Sequence, residues 1–206
     1  AAAVLGLVFV WVLWDLGNEI EDVLDPAAGE RPARHAGAIL ALMGLLGTGL
    51  FTAFMDSHYT TLMALVFALA FLLFVTRYLR GGRWLDALGA VVTLAAVPLT
   101  HPDTTIILML GYVPWLGTIW LSRERPPFRR WLVIAAAIPL LALLAILPWI
   151  GRILPLLGSN IASPFDVDPN HWRVLVFMHG GLIVPLALGG AVIAARRRAP
   201  LDLLML

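Results

Sequence analysis

Long apolar runs separated by short polar connections are the first regularity along the chain. Residues 1–16, 35–54, 59–79, 84–100, 104–121, 131–150 and 172–195 are almost wholly apolar, and another run opens near the last residues. A helix of roughly 20 apolar residues crosses the hydrocarbon core of a bilayer with its backbone hydrogen bonds all satisfied internally. The pattern therefore predicts an all-α, polytopic integral membrane helical bundle of seven spans plus the start of an eighth, forming a single domain over residues 1–206. The longest polar connections, 17–34 and 151–171, are each about 20 residues, too short for a soluble domain. Both chain ends fall inside apolar runs, so the sequence reads as an interior piece of a longer protein.

Composition agrees with the pattern: 61% of residues are hydrophobic and 13% charged, a balance far from that of a soluble domain. The net charge of +1 says little, but its distribution says more. All 14 basic residues are Arg. All but Arg152 and Arg173 cluster, at Arg31 and Arg34, at Arg77, Arg80 and Arg83, at Arg123, Arg125, Arg129 and Arg130, and at Arg196, Arg197 and Arg198. In a seven-span chain these are alternate connections and share one side, which the positive-inside rule makes cytoplasmic. Cysteine is absent, which excludes disulfides, a thiol nucleophile and thiolate metal sites.

The intervening connections, 55–59, 100–103 and 151–171, are then extracytoplasmic. They carry Asp56, Asp103, Asp166 and Asp168, and His58, His101 and His171, with His179 just inside the last full span. A polar outer vestibule over an apolar bundle is the expected geometry. Each group also has a plainer reading. His101-Pro102-Asp103 reads as a tight turn in which Pro disfavours helix at the residue before it and Asp103 caps the following helix. Asp56-Ser57-His58 reads as a solvated turn or as a site, since polar residues at a span's edge must find water, a partner or a substrate. His179 reads as an interhelical hydrogen-bonding group or as part of a site lining. The stretch from Asp166 to His171 suits a divalent cation, or is a solvated loop; no cofactor is otherwise called for. The acidic run from Asn18 to Asp25 reads as an interfacial amphipathic turn. The tryptophans, Trp11, Trp14, Trp84, Trp115, Trp120, Trp131, Trp149 and Trp172, read as interfacial anchors, and Gly44, Gly47 and Gly49 as a site of close helix approach.

The block SHYTTLMALVFALAFLLFVTRYLRGGRWLDALGAVVTLAAVPLTHPDTTIILML resembles the core of polytopic GT-C class glycosyltransferases: a span, a short Arg/Gly turn, a span ending in a basic residue plus Pro, and another span. The stretch HGGLIVPLALGGAVIAARRRAP resembles their late spans. The resemblance implies a multi-pass enzyme of a bacterial or archaeal plasma membrane that transfers a sugar from a polyprenyl-phosphate-linked donor at the extracytoplasmic face. In that class acidic residues of the outer loops serve as base or orient the acceptor. If residues 1–16 correspond to the class's second span, Asp56 falls in its second outer loop, and the first loop lies upstream of this chain.

Glycosyl transfer from a phosphate leaving group needs a carboxylate to take the acceptor's proton and donors to hold the phosphate as charge builds on it. The catalytic candidates are Asp56, His58 and Asp103; the substrate-binding candidates are Tyr59, His101, Arg152 and His179. Arg152 follows a span end and its planar fork suits phosphate oxygens, although an interfacial anchor has the same sequence. The expected partners are the bilayer and the lipid-linked donor. Nucleic acid is disfavoured, because the arginines lie on membrane-anchoring turns and are matched by acids. The rival readings are a secondary transporter or channel, which needs polar residues at several depths, and a non-catalytic membrane scaffold.

Overall fold

The computed structural model describes residues 2–24, 35–46, 59–119 and 125–153, together with the isolated positions Gly189, Val192 and Arg196. These residues form helices and short connections, with no strand among them. In chain order the helices are α1 (Ala2–Leu24), α2 (Ala36–Leu46), α3 (Tyr59–Gly81), α4 (Trp84–Thr100), α5 (Pro102–Thr118) and α6, a continuous helix built from Phe128–Leu132, a π-helical turn Val133–Ala137 and Ile138–Ile153. Two have the length and composition to cross a membrane: Tyr59–Gly81, with mean hydropathy 2.2, and Phe128–Arg152, with 2.6. The expected span over 172–195 lies outside the described residues except for Gly189 and Val192.

α3 is the central element. Leu62, Ala64, Val66, Ala68, Phe71, Leu73, Val75, Thr76 and Tyr78 are all buried, too many for one stripe of a helix, because α1, α4 and α5 cover different sides of it. Ala64 and Ala68 meet Val97 of α4, where small side chains let the two helices draw close. Gly89 of α4 lies under the Phe74 ring, whose atoms would stand 2.8 Å from an added Cβ. The largest core cluster joins α3 to α4, α5 and α6 through Phe71, Leu94, Tyr112, Trp115, Ile134 and Ile138. The Phe71 and Tyr112 rings pack edge to face at 5.0 Å, a favoured aromatic geometry.

Two features of the sequence change meaning here. α1 does not stop at Leu16: it runs to Leu24, so the acidic run is helical as far as that residue rather than a turn. Asp15, Glu19 and Asp22 recur at helical spacing and meet arginines of α3, which satisfies charges that a bare helix end would leave to solvent. Trp115 is 2% exposed, in the core beside the Tyr112 ring, and is not an anchor. Trp11, Trp14 and Trp84 are 64%, 44% and 70% exposed. Gly44 does mark a close approach, to Phe9 and Leu13 of α1. The two helices also draw close at Gly17, where an added Cβ would stand 2.6 Å from the Gly37 Cα.

The π-helical turn has a local cause. Pro139 has no N–H, and in a regular helix its ring collides with the carbonyl four residues back. The wider turn relieves that collision, with the Ile138 N–H donating to Val133 O. The next bond of this register would run from residue 139 to Ile134 O, and proline has no donor to make it. Tyr112 supplies one: its hydroxyl donates to Ile134 O at 3.0 Å.

Candidate functional site

The two ends of the bundle differ in chemistry. α3 and α4 are joined by the tight turn at Gly82-Arg83, with Gly82 at φ 68° and its N–H donating to Tyr78 O. This is the left-handed closure that glycine tolerates, and it makes α3 and α4 antiparallel. Arg130, at the start of α6, donates to the Leu79 and Arg80 carbonyls at 2.8 Å each. It satisfies the open C-terminus of α3 and favours its dipole. Arg77, Arg80 and Arg83 and, of the third group, Arg129 and Arg130 therefore lie at one end, which fits the alternation read from the sequence for these two connections.

Also at the arginine end is a network missed by sequence reasoning. Arg77 Nη2 stands 2.8 Å from Asp15 Oδ2, and its Nε donates to Glu19 Oε2 at 3.4 Å. Arg80 Nη1 is 2.9 Å from Glu19 Oε1 and 3.6 Å from Asp22 Oδ2. The neighbouring Glu21 turns the other way and accepts from the His35 and Ala36 N–H groups at 3.1 and 2.9 Å, capping α2 from another helix. The signal was present in the spacing of Asp15, Glu19 and Asp22 in the sequence, once α1 is extended beyond Leu16.

The opposite end holds the described candidates. Tyr59 begins α3, His101 joins α4 to α5, and Arg152 closes α6; the antiparallel runs carry all three away from the arginines. Among the described residues no hydrogen bond or ion pair joins them to one another. Arg152 is exposed and lies in the last helical turn of α6, not in the connection beyond it. Tyr59 is 42% exposed. Asp56, His58 and His179 lie outside the described residues, as does the stretch from Asp166 to His171. Among the described residues no group of acids and histidines is arranged to hold a metal ion.

The turn between α4 and α5 is the most structured part of this end. His101 is extended (φ −155°, ψ 104°), as a residue before proline must be. Pro102 then takes the first helical position, where its missing donor costs nothing. Asp103 consequently sits inside the first turn, one residue past Pro102, and His101 rather than Asp103 holds the capping position, without a side-chain cap bond. Among the described residues the His101 Nδ1 is shielded from solvent with no hydrogen-bond partner, and so is Thr105 Oγ1. Thr105 departs from its counterparts: Thr76, Thr93 and Thr100 each donate to a carbonyl four residues back, at 2.8, 2.7 and 3.0 Å. Two polar atoms one helical turn apart are thus left without partners, although burial of such groups ordinarily demands them.

Thr105 also opens an apolar furrow along α5, lined by Ile106, Met109, Leu110, Val113 and Pro114, with a volume of about 500 Å³. The furrow is open and apolar along its length, with Thr105 at one end and His101 four residues before it in the chain. No family model matches this chain, and neither a curated protein nor a solved structure shows significant similarity to it.

Proposed function

We propose that the chain is a polytopic membrane protein that transfers a sugar from a polyprenyl-phosphate-linked donor, with its site at the end of the bundle opposite the arginine cluster. The membrane part of this reading is supported by α6, whose Leu140, Leu141, Leu143, Leu144 and Leu147 are 49–57% exposed. So wide an apolar face is stable in lipid and not in water. The observation that carries the functional part is the pair of polar atoms unpartnered among the described residues, His101 Nδ1 and Thr105 Oγ1, of which Thr105 opens the α5 furrow and His101 lies four residues before it.

In this reading the imidazole and the hydroxyl donate to the donor's phosphate and hold the charge that grows on it as the glycosidic bond breaks. The prenyl chain follows Ile106, Leu110 and Val113. Asp56, and Asp103 beside His101, are the carboxylates proposed to take the acceptor's proton. A transport path is the weaker reading, because Asp15, Glu19, Arg77 and Arg80 are bound to one another at one end, whereas a path needs ionisable groups at successive depths.

The test is donor turnover in membranes containing the full protein, supplied with radiolabelled polyprenyl-phosphate sugars and candidate acceptors. Acceptor-dependent loss of donor that falls in His101→Ala, Thr105→Val and Asp56→Asn supports the assignment. A folded, inserted protein that turns over no donor, or whose turnover ignores all three changes, refutes it.

A further inference from the structure

A second concave site lies at the arginine end, where nothing in the proposed transfer reaction requires one. Glu19 of α1, Arg77, Arg80 and Gly81 of α3, Arg83 of the turn and Asp86 of α4 line a cleft of about 420 Å³. Its lining is strongly polar but mixed in sign. Arg77 and Arg80 already face Asp15, Glu19 and Asp22. Arg83 and Asp86 have no ion-pair partner among the described residues, although both line the same cleft. Arg130 is close by, but one arm of its guanidinium is committed to the Leu79 and Arg80 carbonyls.

The charges define what fits. A purely anionic ligand meets Glu19 and Asp86, with Asp15 and Asp22 behind the arginines; a purely cationic one meets three guanidiniums. A zwitterion with a phosphate and a primary ammonium a few bonds apart satisfies both. The planar fork of Arg83, helped by the outward side of Arg80, suits phosphate oxygens, and Asp86 and Glu19 suit an ammonium with three donors. The rim identifies the source of that zwitterion. Trp84 and Leu85, directly after Arg83, are 70% and 49% exposed, and an exposed Trp beside Arg is the composition of a membrane–water boundary.

We propose that this cleft binds the headgroup of a phosphoethanolamine lipid, with its phosphate on Arg83 and Arg80 and its ammonium on Asp86 and Glu19. The full chain in detergent is titrated with phosphatidylethanolamine, phosphatidylcholine, phosphatidylglycerol or soluble phosphoethanolamine, and unfolding is followed by Trp fluorescence. Phosphatidylethanolamine raises the unfolding temperature in a dose-dependent way and beyond the other three. Arg83→Gln and Asp86→Asn each weaken that response on the order of tenfold, the effect of losing one charge-assisted hydrogen bond, whereas Arg129→Gln leaves it unchanged. Both variants unfold near the wild-type temperature without lipid, since neither residue carries an ion pair. Equal response to phosphatidylglycerol overturns the ammonium half of the proposal, as does equal response to phosphatidylcholine. An equal response to soluble phosphoethanolamine overturns the lipid assignment. Variants that respond like wild type remove the cleft from the binding.

Discussion

Replacing Tyr112 by Phe removes one hydroxyl and leaves the ring, so it isolates the bond to Ile134 O. Tyr112 is 2% exposed and its donor distance is 3.0 Å. A buried hydrogen bond is worth about 0.5–1.5 kcal/mol net, and a carbonyl left without a partner costs about 1–3 kcal/mol. Interhelical bonds measured within membranes lie toward the low end, about 0.6 kcal/mol on average. The expected destabilisation is therefore about 1 kcal/mol. The stronger test lies in the coupling to Pro139. If the Ile134 carbonyl is open because residue 139 has no N–H, then Pro139→Ala restores a backbone donor and Tyr112→Phe costs less in that background, by roughly the same 1 kcal/mol. Unfolding of the four proteins in mixed micelles, followed by Trp fluorescence against the mole fraction of denaturing detergent, gives the cycle. Equal costs of Tyr112→Phe in both backgrounds would refute the argument that proline opens this carbonyl and tyrosine closes it.

Three other changes probe the arginine end and the overall arrangement. Arg77→Gln leaves Asp15 without its charge partner and lowers stability by about 1–2 kcal/mol, less than a fully buried pair because both groups are partly exposed; adding Asp15→Asn recovers part of the loss, and no recovery would mean the pair is not the source. Gly82→Ala forces a Cβ into a left-handed conformation at φ 68° and to within 2.9 Å of Arg130 Nε, with an expected cost of about 1–2 kcal/mol from the backbone alone; a wild-type melting profile would contradict the turn. Because native cysteine is absent, single cysteines at Thr60 and Pro102 should react with an impermeant thiol reagent from one side of the membrane and those at Arg83 and Arg125 from the other, and labelling of all four from one side would overturn the two-ended arrangement.

The apolar period, the arginine alternation and the Pro102 signal are local properties, and they were legible because each acts through the backbone or through hydropathy alone. Helix class, the extended conformation of His101, the closing turn at Gly82-Arg83 and the shared end of two arginine groups all follow from them. The end of α1 was misread because local charge argues for a turn at Asn18–Asp25, whereas Arg77 and Arg80, some 60 residues away in sequence, make a helix the better solution there. Arg152 was placed beyond a helix end for the same reason: a charge marks the edge of an apolar run and not the edge of a helix.

For the candidate site, sequence chemistry picked out His101 as a polar residue between two apolar runs, and chain order put it at the same end as Tyr59 and Arg152. What it passed over was Thr105, which reads like Thr76, Thr93 and Thr100 and differs from them only in leaving its hydroxyl unbonded. Trp115 likewise carries the composition of an anchor and the position of a core residue. By itself the sequence determined that the described residues are helical and apolar and that the chain turns near Gly82 and His101, since hydropathy and backbone sterics are decided within a few residues. Only the tertiary structure decided which carboxylates meet which arginines, that a tyrosine closes the Ile134 carbonyl, and which polar atoms stay open, because those are settled by contacts between helices whose partners no local pattern names.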